Sequence, residues 1–215
     1  MPIQVLSPKD LDRAKARLEF ERLQREEKYL FYTPNGRLEQ FIKMVGENKY
    51  FINLLIAANG IGKTAGISNI LANLLFKEKN TEWFNYPLFN NFPYEKKGRI
   101  ISDPTTISQT LIPELHKWFP KNKYTTSKEG KNYEYKWKTR SGYEFDLMTT
   151  EQEAKEFESS TLGFCLIDEP CPEDIFKATI SRMRRGGIII AVFTPLSGSA
   201  FFYYQFVTNP DTVIY

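Results

Sequence analysis

The sequence predicts an α/β domain, with a central, mostly parallel sheet flanked by helices, an N-terminal helix and a β-hairpin. Three stretches predict it. An apolar run from Tyr50 to Ala58 enters Asn59-Gly60-Ile61-Gly62-Lys63-Thr64, after which Ile67, Ile70, Leu71, Leu74 and Leu75 recur at helical spacing. Phe164 to Ile167 is a second apolar run, closed by Asp168-Glu169. Gly187 to Phe193 is a third, closed by Thr194-Pro195. Apolar runs of this length read as strands buried on both faces of a parallel sheet. Alternation with helical segments describes a doubly wound domain whose ligand sits beyond the carboxyl ends of the strands.

In chain order, residues 8–30 read as a charged helix opened by Ser7-Pro8, with a thin stripe of Leu11, Ala14, Leu18 and Leu23. Such a helix leans on the domain, or on a neighbouring subunit, and does not fill a core. Tyr32 to Gly36 breaks it, and a short helix around Leu38 to Ile42 leads into the first strand. Gln40, just upstream of that strand, is a candidate for reading an adenine edge; an ordinary surface glutamine is the alternative. Residues 79–97, rich in Asn, Phe, Tyr and Pro, read as a loop insertion. Arg99 to Ser102 is a strand, and Thr106 to Phe119 a helix interrupted near Pro113. Tyr133, Tyr135 and Trp137 alternate with charged residues up to the turn Thr139-Arg140-Ser141-Gly142, and Tyr143, Phe145 and Leu147 alternate after it. That pattern is a hairpin. A last helix is expected from Pro172 to Met183.

The chemistry sits at the strand ends. Gly60 and Gly62 allow the tight turn that points successive N–H groups at one anion, and the following helix adds the positive end of its dipole. The run departs from G-x-x-x-x-G-K-[ST] at Ala57, a position that serves the turn and tolerates alanine while φ stays negative. Lys63 is the phosphate-binding lysine and Thr64 the metal-side hydroxyl. Asp168 supports the metal, whereas Glu169, on the other side of the chain, polarises an attacking water. Two acids favour hydrolysis over mere nucleotide binding. Thr194, at the tip of the third strand, is placed to sense the terminal phosphate and pass the signal into Leu196-Ser197-Gly198.

Composition narrows the class. With 215 residues, 41% hydrophobic and 15% aromatic, the chain is long enough for a normal core with substantial aromatic packing. A net charge of +3 leaves nucleic-acid affinity to a local patch. Between Lys117 and Arg140 eight basic residues face two acidic ones, which reads either as a DNA-backbone contact or as the solvated face of a half-buried hairpin. Cys165 and Cys171 are too few for a zinc site and are expected as free thiols in a reducing compartment. No run reaches membrane-spanning length, so a soluble intracellular protein is expected.

Taken together, Asn59 to Thr64, Leu166-Ile167-Asp168-Glu169-Pro170, Gly186-Gly187 and Phe193-Thr194-Pro195-Leu196-Ser197-Gly198 resemble the ATPase domain of tailed-bacteriophage terminase large subunits. Tyr143-Glu144-Phe145, Glu151-Gln152 and Phe157-Glu158 add to the resemblance, which covers roughly residues 30–200. It implies a P-loop NTPase of the ASCE, RecA-like kind that uses ATP and Mg²⁺ to drive double-stranded DNA into a procapsid. Asn59, Gly60, Ile61, Gly62, Lys63 and Thr64 would hold the phosphates, Thr64 and Asp168 the metal, and Glu169 would be the base. Thr194 would belong to the coupling motif. The implied partners are DNA, other copies in a ring (commonly a pentamer) on a portal protein, and a small terminase subunit. The implied place is the host cytoplasm, docked on the procapsid.

Some members carry an arginine inside the phosphate loop and this chain has none, so an arginine supplied in trans is expected. Arg140, Arg182, Arg184 and Arg185 are candidates, with Arg140 favoured because a turn tip can reach a partner. The expected layout is one ATPase domain over 1–215: a helical segment 1–34, a nucleotide core 35–195 and a coupling segment 196–215, without the C-terminal nuclease of complete large terminases. The alternatives are another P-loop DNA motor, such as a helicase or recombinase-like ATPase, and a nucleotide-gated DNA-binding or assembly module that hydrolyses little.

Overall fold

Strands β1 (Ile52–Ile56), β2 (Lys97–Ser102), β3 (Tyr124–Ser127), β4 (Lys136–Thr139), β5 (Glu144–Thr149), β6 (Phe164–Asp168) and β7 (Ile188–Phe193) form one sheet in the order β1-β7-β6-β2-β5-β4-β3. The structure is a computed structural model that describes residues 8–77, 81–158, 160–195, 201 and 205. Neighbours from β1 to β5 pair in parallel, while β4 and β3 add on antiparallel. The expected mostly parallel α/β architecture is therefore present. The run Ile188 to Phe193 is buried along its whole length, as its unbroken apolar composition requires of a central strand.

Helices cover both faces. They are α1 (Pro8–Glu26), α2 (Gly36–Gly46), α3 (Lys63–Phe76), α4 (Pro87–Asn90), α5 (Pro104–Thr106), α6 (Ile112–Trp118) and α7 (Glu173–Ile180). On one face Leu38, Phe41, Ile67, Ile70, Leu74, Leu115 and Phe119 pack with Ile100, Leu166 and Ile190 of the sheet. On the other, Phe157, Ile175 and Phe176 pack with Ile101, Ile167 and Ile189.

Four local expectations are corrected. Residues 82–92 are no surface insertion: a 3-10 turn (Glu82–Asn85) and α4 bury Trp83, Leu88, Phe89 and Phe92 in the core. The aromatic and proline content that suggests a loop is what a short, irregular core segment needs. The break in the 104–118 rod is a π-helical stretch (Ile107–Leu111), and Pro113 sits harmlessly in the first turn of α6, where an N–H is not required. α3, which the helical spacing of its apolar residues predicts as amphipathic, is buried on every side from Gly66 to Leu75, Ser68, Asn69 and Asn73 included; Asn69 and Asn73 donate back to carbonyls one turn earlier. Finally, β3 has no counterpart among the expected strands, because a Tyr-Thr-Thr-Ser edge strand carries little apolar signal.

Near its last turns α1 meets the body: Phe20 meets Phe31 edge-on and the Glu26 carbonyl accepts from Lys121 N. Leu18 is 66% exposed. The helix carries its own surface pairs, Arg17–Glu21 and Arg22–Glu26 at i,i+4 spacing. The hairpin is as expected: β4 and β5 flank the Thr139–Gly142 turn, and Trp137 stacks on both Tyr124 and Phe145. Five of the eight bases between Lys117 and Arg140 are ion-paired, which favours the solvated-face reading of that stretch.

Candidate functional site

The parallel strands end together, and their ends carry the chemistry. Ala57 N still donates to Phe193 O, so β1 stays tied to β7 until the chain leaves the sheet. Ala57 keeps a negative φ, which is why alanine is tolerated there; Gly60 and Gly62 have φ of +82° and +87°, the left-handed region glycine adopts without strain. Gly62 caps α3 without a side-chain cap bond, so the first N–H groups of this fourteen-residue helix stay available to an anion. From outside, Asn35, the N-cap of α2, donates through Nδ2 to Ile61 O at 2.9 Å and pins the loop.

Lys63 is buried and folds back: Nζ donates to Ala57 O (2.8 Å), Ala58 O (3.1 Å) and Thr194 Oγ1 (3.1 Å). Thr64 Oγ1 donates to Asp168 Oδ2 at 3.3 Å across 104 residues of sequence. Burial first, and the neighbouring Glu169 carboxylate second, push the Asp168 carboxyl up from 3.8 to about 7; the Thr64 hydrogen bond and Lys63 act the other way. Ser102, at the end of β2, donates to the Asp168 carbonyl at 2.8 Å and fixes the strand tip.

Glu169 lies just past β6, with φ of +72°, a left-handed backbone that costs an L-residue about 1–2 kcal/mol. The turn aims its carboxylate at the tip of β7: Oε2 accepts from Thr194 N (3.1 Å) and Oε1 from Thr194 Oγ1 (2.9 Å). Asn59 Oδ1 stands 2.8 Å from the same hydroxyl. One hydroxyl hydrogen cannot serve both oxygens. Turning the Asn59 amide over lets its NH₂ donate, and the Thr194 hydroxyl then accepts from Lys63 and Asn59 and donates to Glu169. Thr194 is thus the knot that joins loop, lysine and acid. The continuation Leu196-Ser197-Gly198 lies outside the described residues.

A cavity of about 390 Å³ opens over these groups, lined by Asn59, Gly60, Gly62, Lys63, Thr64, Ala65, Asp168 and Glu169. Its far wall, which sequence reasoning misses, is Thr106, Thr110 and Glu114 from the 104–118 rod. Their four-residue spacing after a strand end is the available signal. In a continuous α-helix the first and last would drift apart by about 80°; the wider π stretch between them offsets that drift. Glu114 is held from behind, accepting from Lys117 Nζ (3.0 Å) and Trp118 Nε1 (2.6 Å).

On the other side of the loop a second cavity, of about 270 Å³, is lined by Arg37, Gln40, Phe41, Leu55, Ile56, Ala57, Ala58 and Ile61. Gln40 and Ile61 therefore line one recess with apolar walls, of the kind a flat ring system fills. Arg140 is elsewhere. Its turn precedes β5, and Ser141 Oγ donates to Leu75 O at the far end of α3, so Arg140 sits at the opposite edge of the sheet from Lys63. Arg182, Arg184 and Arg185 precede β7 and lie at that same far edge. Among the described residues no arginine lines the cavity above the acid pair. Nor, among them, is any helix long and apolar enough to cross a membrane, and both cysteines are free and buried.

No protein-family model and no curated protein matches the sequence. Solved structures do match in shape. The large terminase of a thermophilic bacteriophage aligns with a TM-score of 0.62 at 12% identity, over 85% of this chain and 45% of that one. A structure of the same phage's large terminase in complex with ADP aligns at 0.59 and 13% identity, again over 85% and 45%. The HK97 bacteriophage large terminase aligns at 0.54 and 14% identity, over 75% of this chain and 33% of that one. The chain thus spans less than half the length of these structures, and at such identities the likeness establishes the fold. The resemblance to large terminases read from the motifs holds at that level.

Proposed function

We propose that this chain is the ATP-hydrolysing motor domain of a viral terminase large subunit, which drives double-stranded DNA into a procapsid. The observation that carries the reading is the meeting of Lys63, Asn59 and Glu169 on the single hydroxyl of Thr194, beside an open helix N-terminus. A site that only held nucleotide would need the lysine and the open N–H groups, but no second carboxylate tied to the next strand.

In this reading the terminal phosphates of ATP occupy the N–H groups of Gly62 to Ala65, and the base enters the recess of Gln40 and Phe41. Lys63 exchanges the Ala57 and Ala58 carbonyls for phosphate oxygens, a charge-assisted contact that outweighs two neutral ones. Its departure frees one lone pair of Thr194, so occupancy of the phosphate site is felt at Glu169 and at the tip of β7. Glu169 orients a water and takes its proton as the water attacks. Thr64 and Asp168 are hard oxygen donors that fit Mg²⁺, and a cation beside them favours the charged form of the buried Asp168 carboxyl. When bound, that ion neutralises charge on the phosphate oxygens.

Glu114 is already paired with Lys117, which leaves Lys63 as the one ammonium beside Asp168 and Glu169 in the cavity lining, and no arginine lines it among the described residues; an outside arginine would add charge for the transition state. Arg140, on an exposed turn at the far edge of the sheet, is out of reach of its own site, which leaves it to a neighbour in a ring; the portal, the small terminase subunit, the procapsid and the host cytoplasm follow from the terminase reading. ATP turnover over a protein-concentration series, with duplex or single-stranded DNA, tests the reading. Turnover per chain should rise with concentration and with duplex, fall at least a hundredfold in Glu169→Gln while ATP still binds, and vanish with binding in Lys63→Ala. Hydrolysis by Glu169→Gln at the parent's rate would remove Glu169 from the chemistry, and stimulation by single strands alone would point to a helicase.

A further inference from the structure

We propose that the sheet edge opposite the nucleotide cavity is a docking strip for duplex DNA, in which Lys77 and Lys96 contact backbone phosphates. The choice of DNA as the polyanion rests on the motor reading above.

Four distant segments build the strip. Lys77 follows the last turn of α3, Lys96 directly precedes β2, Arg140 lies in the turn before β5, and Arg185 lies in the loop before β7. Because β2, β5 and β7 run parallel, their starts share one edge. Contacts join the pieces. Lys96 Nζ donates to Ser141 O at 3.2 Å, and Ser141 Oγ donates to Leu75 O at 2.6 Å. The Lys77 and Lys96 ammonium groups both lie over the Tyr143 ring, 5.8 and 5.2 Å from its centroid. Lys96 and Arg185 line one open recess of about 480 Å³ with Pro93, Tyr94 and Glu95.

Lys77 and Lys96 are the unusual part. Arg185 is paired with Glu95, but neither lysine forms an ion pair among the described residues. Burial and then the Lys96 ammonium hold the Lys77 ammonium below its ordinary pKa. Lys77 also has φ of +48° at a helix C-cap, a position where glycine is free of strain. The C-terminal dipole of α3 rewards one cation there, but it explains neither the strain nor the second lysine. A bound anion offsets both costs. Contacts of the two lysines with backbone phosphates are sequence-independent and salt-sensitive. Because α3 spans about 21 Å, DNA at this edge and nucleotide at the other do not compete.

The test is the anisotropy of a short labelled duplex over a salt series. Lys77→Gln/Lys96→Gln should bind about tenfold or more weakly with a salt slope lower by roughly two, while Lys77→Arg/Lys96→Arg keeps the parent's affinity. Lys128→Gln/Lys131→Gln removes the same charge past the far end of β3, away from the Arg140 turn, and should change little. A parent that fails to bind duplex at low salt, a strip variant that binds like the parent, or equal weakening by the β3-side pair each overturns the proposal. ADP binding measured without DNA reads the other site. Loss of duplex binding confined to the strip variant supports the strip even if ADP does not bind, whereas normal ADP binding with strip-insensitive DNA binding leaves the motor reading and removes the strip.

Discussion

The two ends of the parallel sheet are made of the same strands and have opposite characters. At the carboxyl end, Asp168 and Glu169 outnumber Lys63, and the groups are tied by hydrogen bonds to Thr64 and Thr194. At the amino end, Lys77, Lys96, Arg140 and Arg185 stand beside two paired acids, Glu95 with Arg185 and Glu144 with Lys97. The first is a set of consecutive residues brought to a point by strand ends. The second is assembled from single residues far apart in the chain. A parallel sheet has two functional edges, and only one of them is written as motifs.

That difference decides what can be read without coordinates. Asn59 to Thr64, the acid pair and Thr194 each sit at the end of a mostly apolar run, so their convergence follows from parallel pairing. Glu169 shows the limit: alternation along a strand places it opposite Asp168, but its left-handed backbone aims it at Thr194, and no sequence pattern announces a positive φ on a glutamate. The wall of Thr106, Thr110 and Glu114 is hidden for a related reason, since a π-helical stretch breaks the period by which a shared face is recognised. The strip of Lys77 and Lys96 has no local signal at all. Likewise β3 and the core role of Trp83 and Phe89 depend on tertiary packing that overrides local preference.

The comparison assumes that the strands between the two ends are a rigid spacer, and the largest expected effect tests that. Arg99 is fully buried in β2, its Nε and Nη2 bound to Asp146 of β5 at 2.8 and 3.1 Å and its Nη1 to Phe157 O at 2.8 Å. Asp146→Ala strands that guanidinium and should cost about 3–5 kcal/mol in urea unfolding, whereas Arg99→Met/Asp146→Leu should cost far less. Equal losses in the two variants would mean that the pair itself, and not the orphaned charge, holds β2 to β5.

A smaller effect isolates the acidic end. Asp168 is pushed up from 3.8 to about 7 by burial, so the folded chain keeps a proton that the unfolded chain releases between those values. Stability from this group is therefore lost as pH rises through about 7. In metal-free protein, Asp168→Asn should gain about 1 kcal/mol on the parent between pH 6 and pH 8, measured by urea unfolding at each pH. Mg²⁺ with ADP should shrink that gain. A difference that stays constant with pH would show the carboxylate already charged at pH 6, and the acidic end to be better solvated than its geometry implies.

The smallest effect belongs to the basic end, and its smallness is the point. The Arg185–Glu95 pair at 2.9 Å is on the surface, with the arginine side chain 77% exposed. Pairs of this kind contribute within about 0.5 kcal/mol because water and salt screen them and ordering two long side chains offsets the gain. Arg185→Ala should therefore melt within error of the parent. If it does, any change it causes in duplex binding is an effect of charge on the partner and not of a loosened fold, which cannot be said of any substitution among Lys63, Asp168 and Glu169. If it destabilises the chain by more than about 1 kcal/mol, the amino end is a packed structural edge like the other, and the contrast between a site made by burial and a surface made by charge is lost.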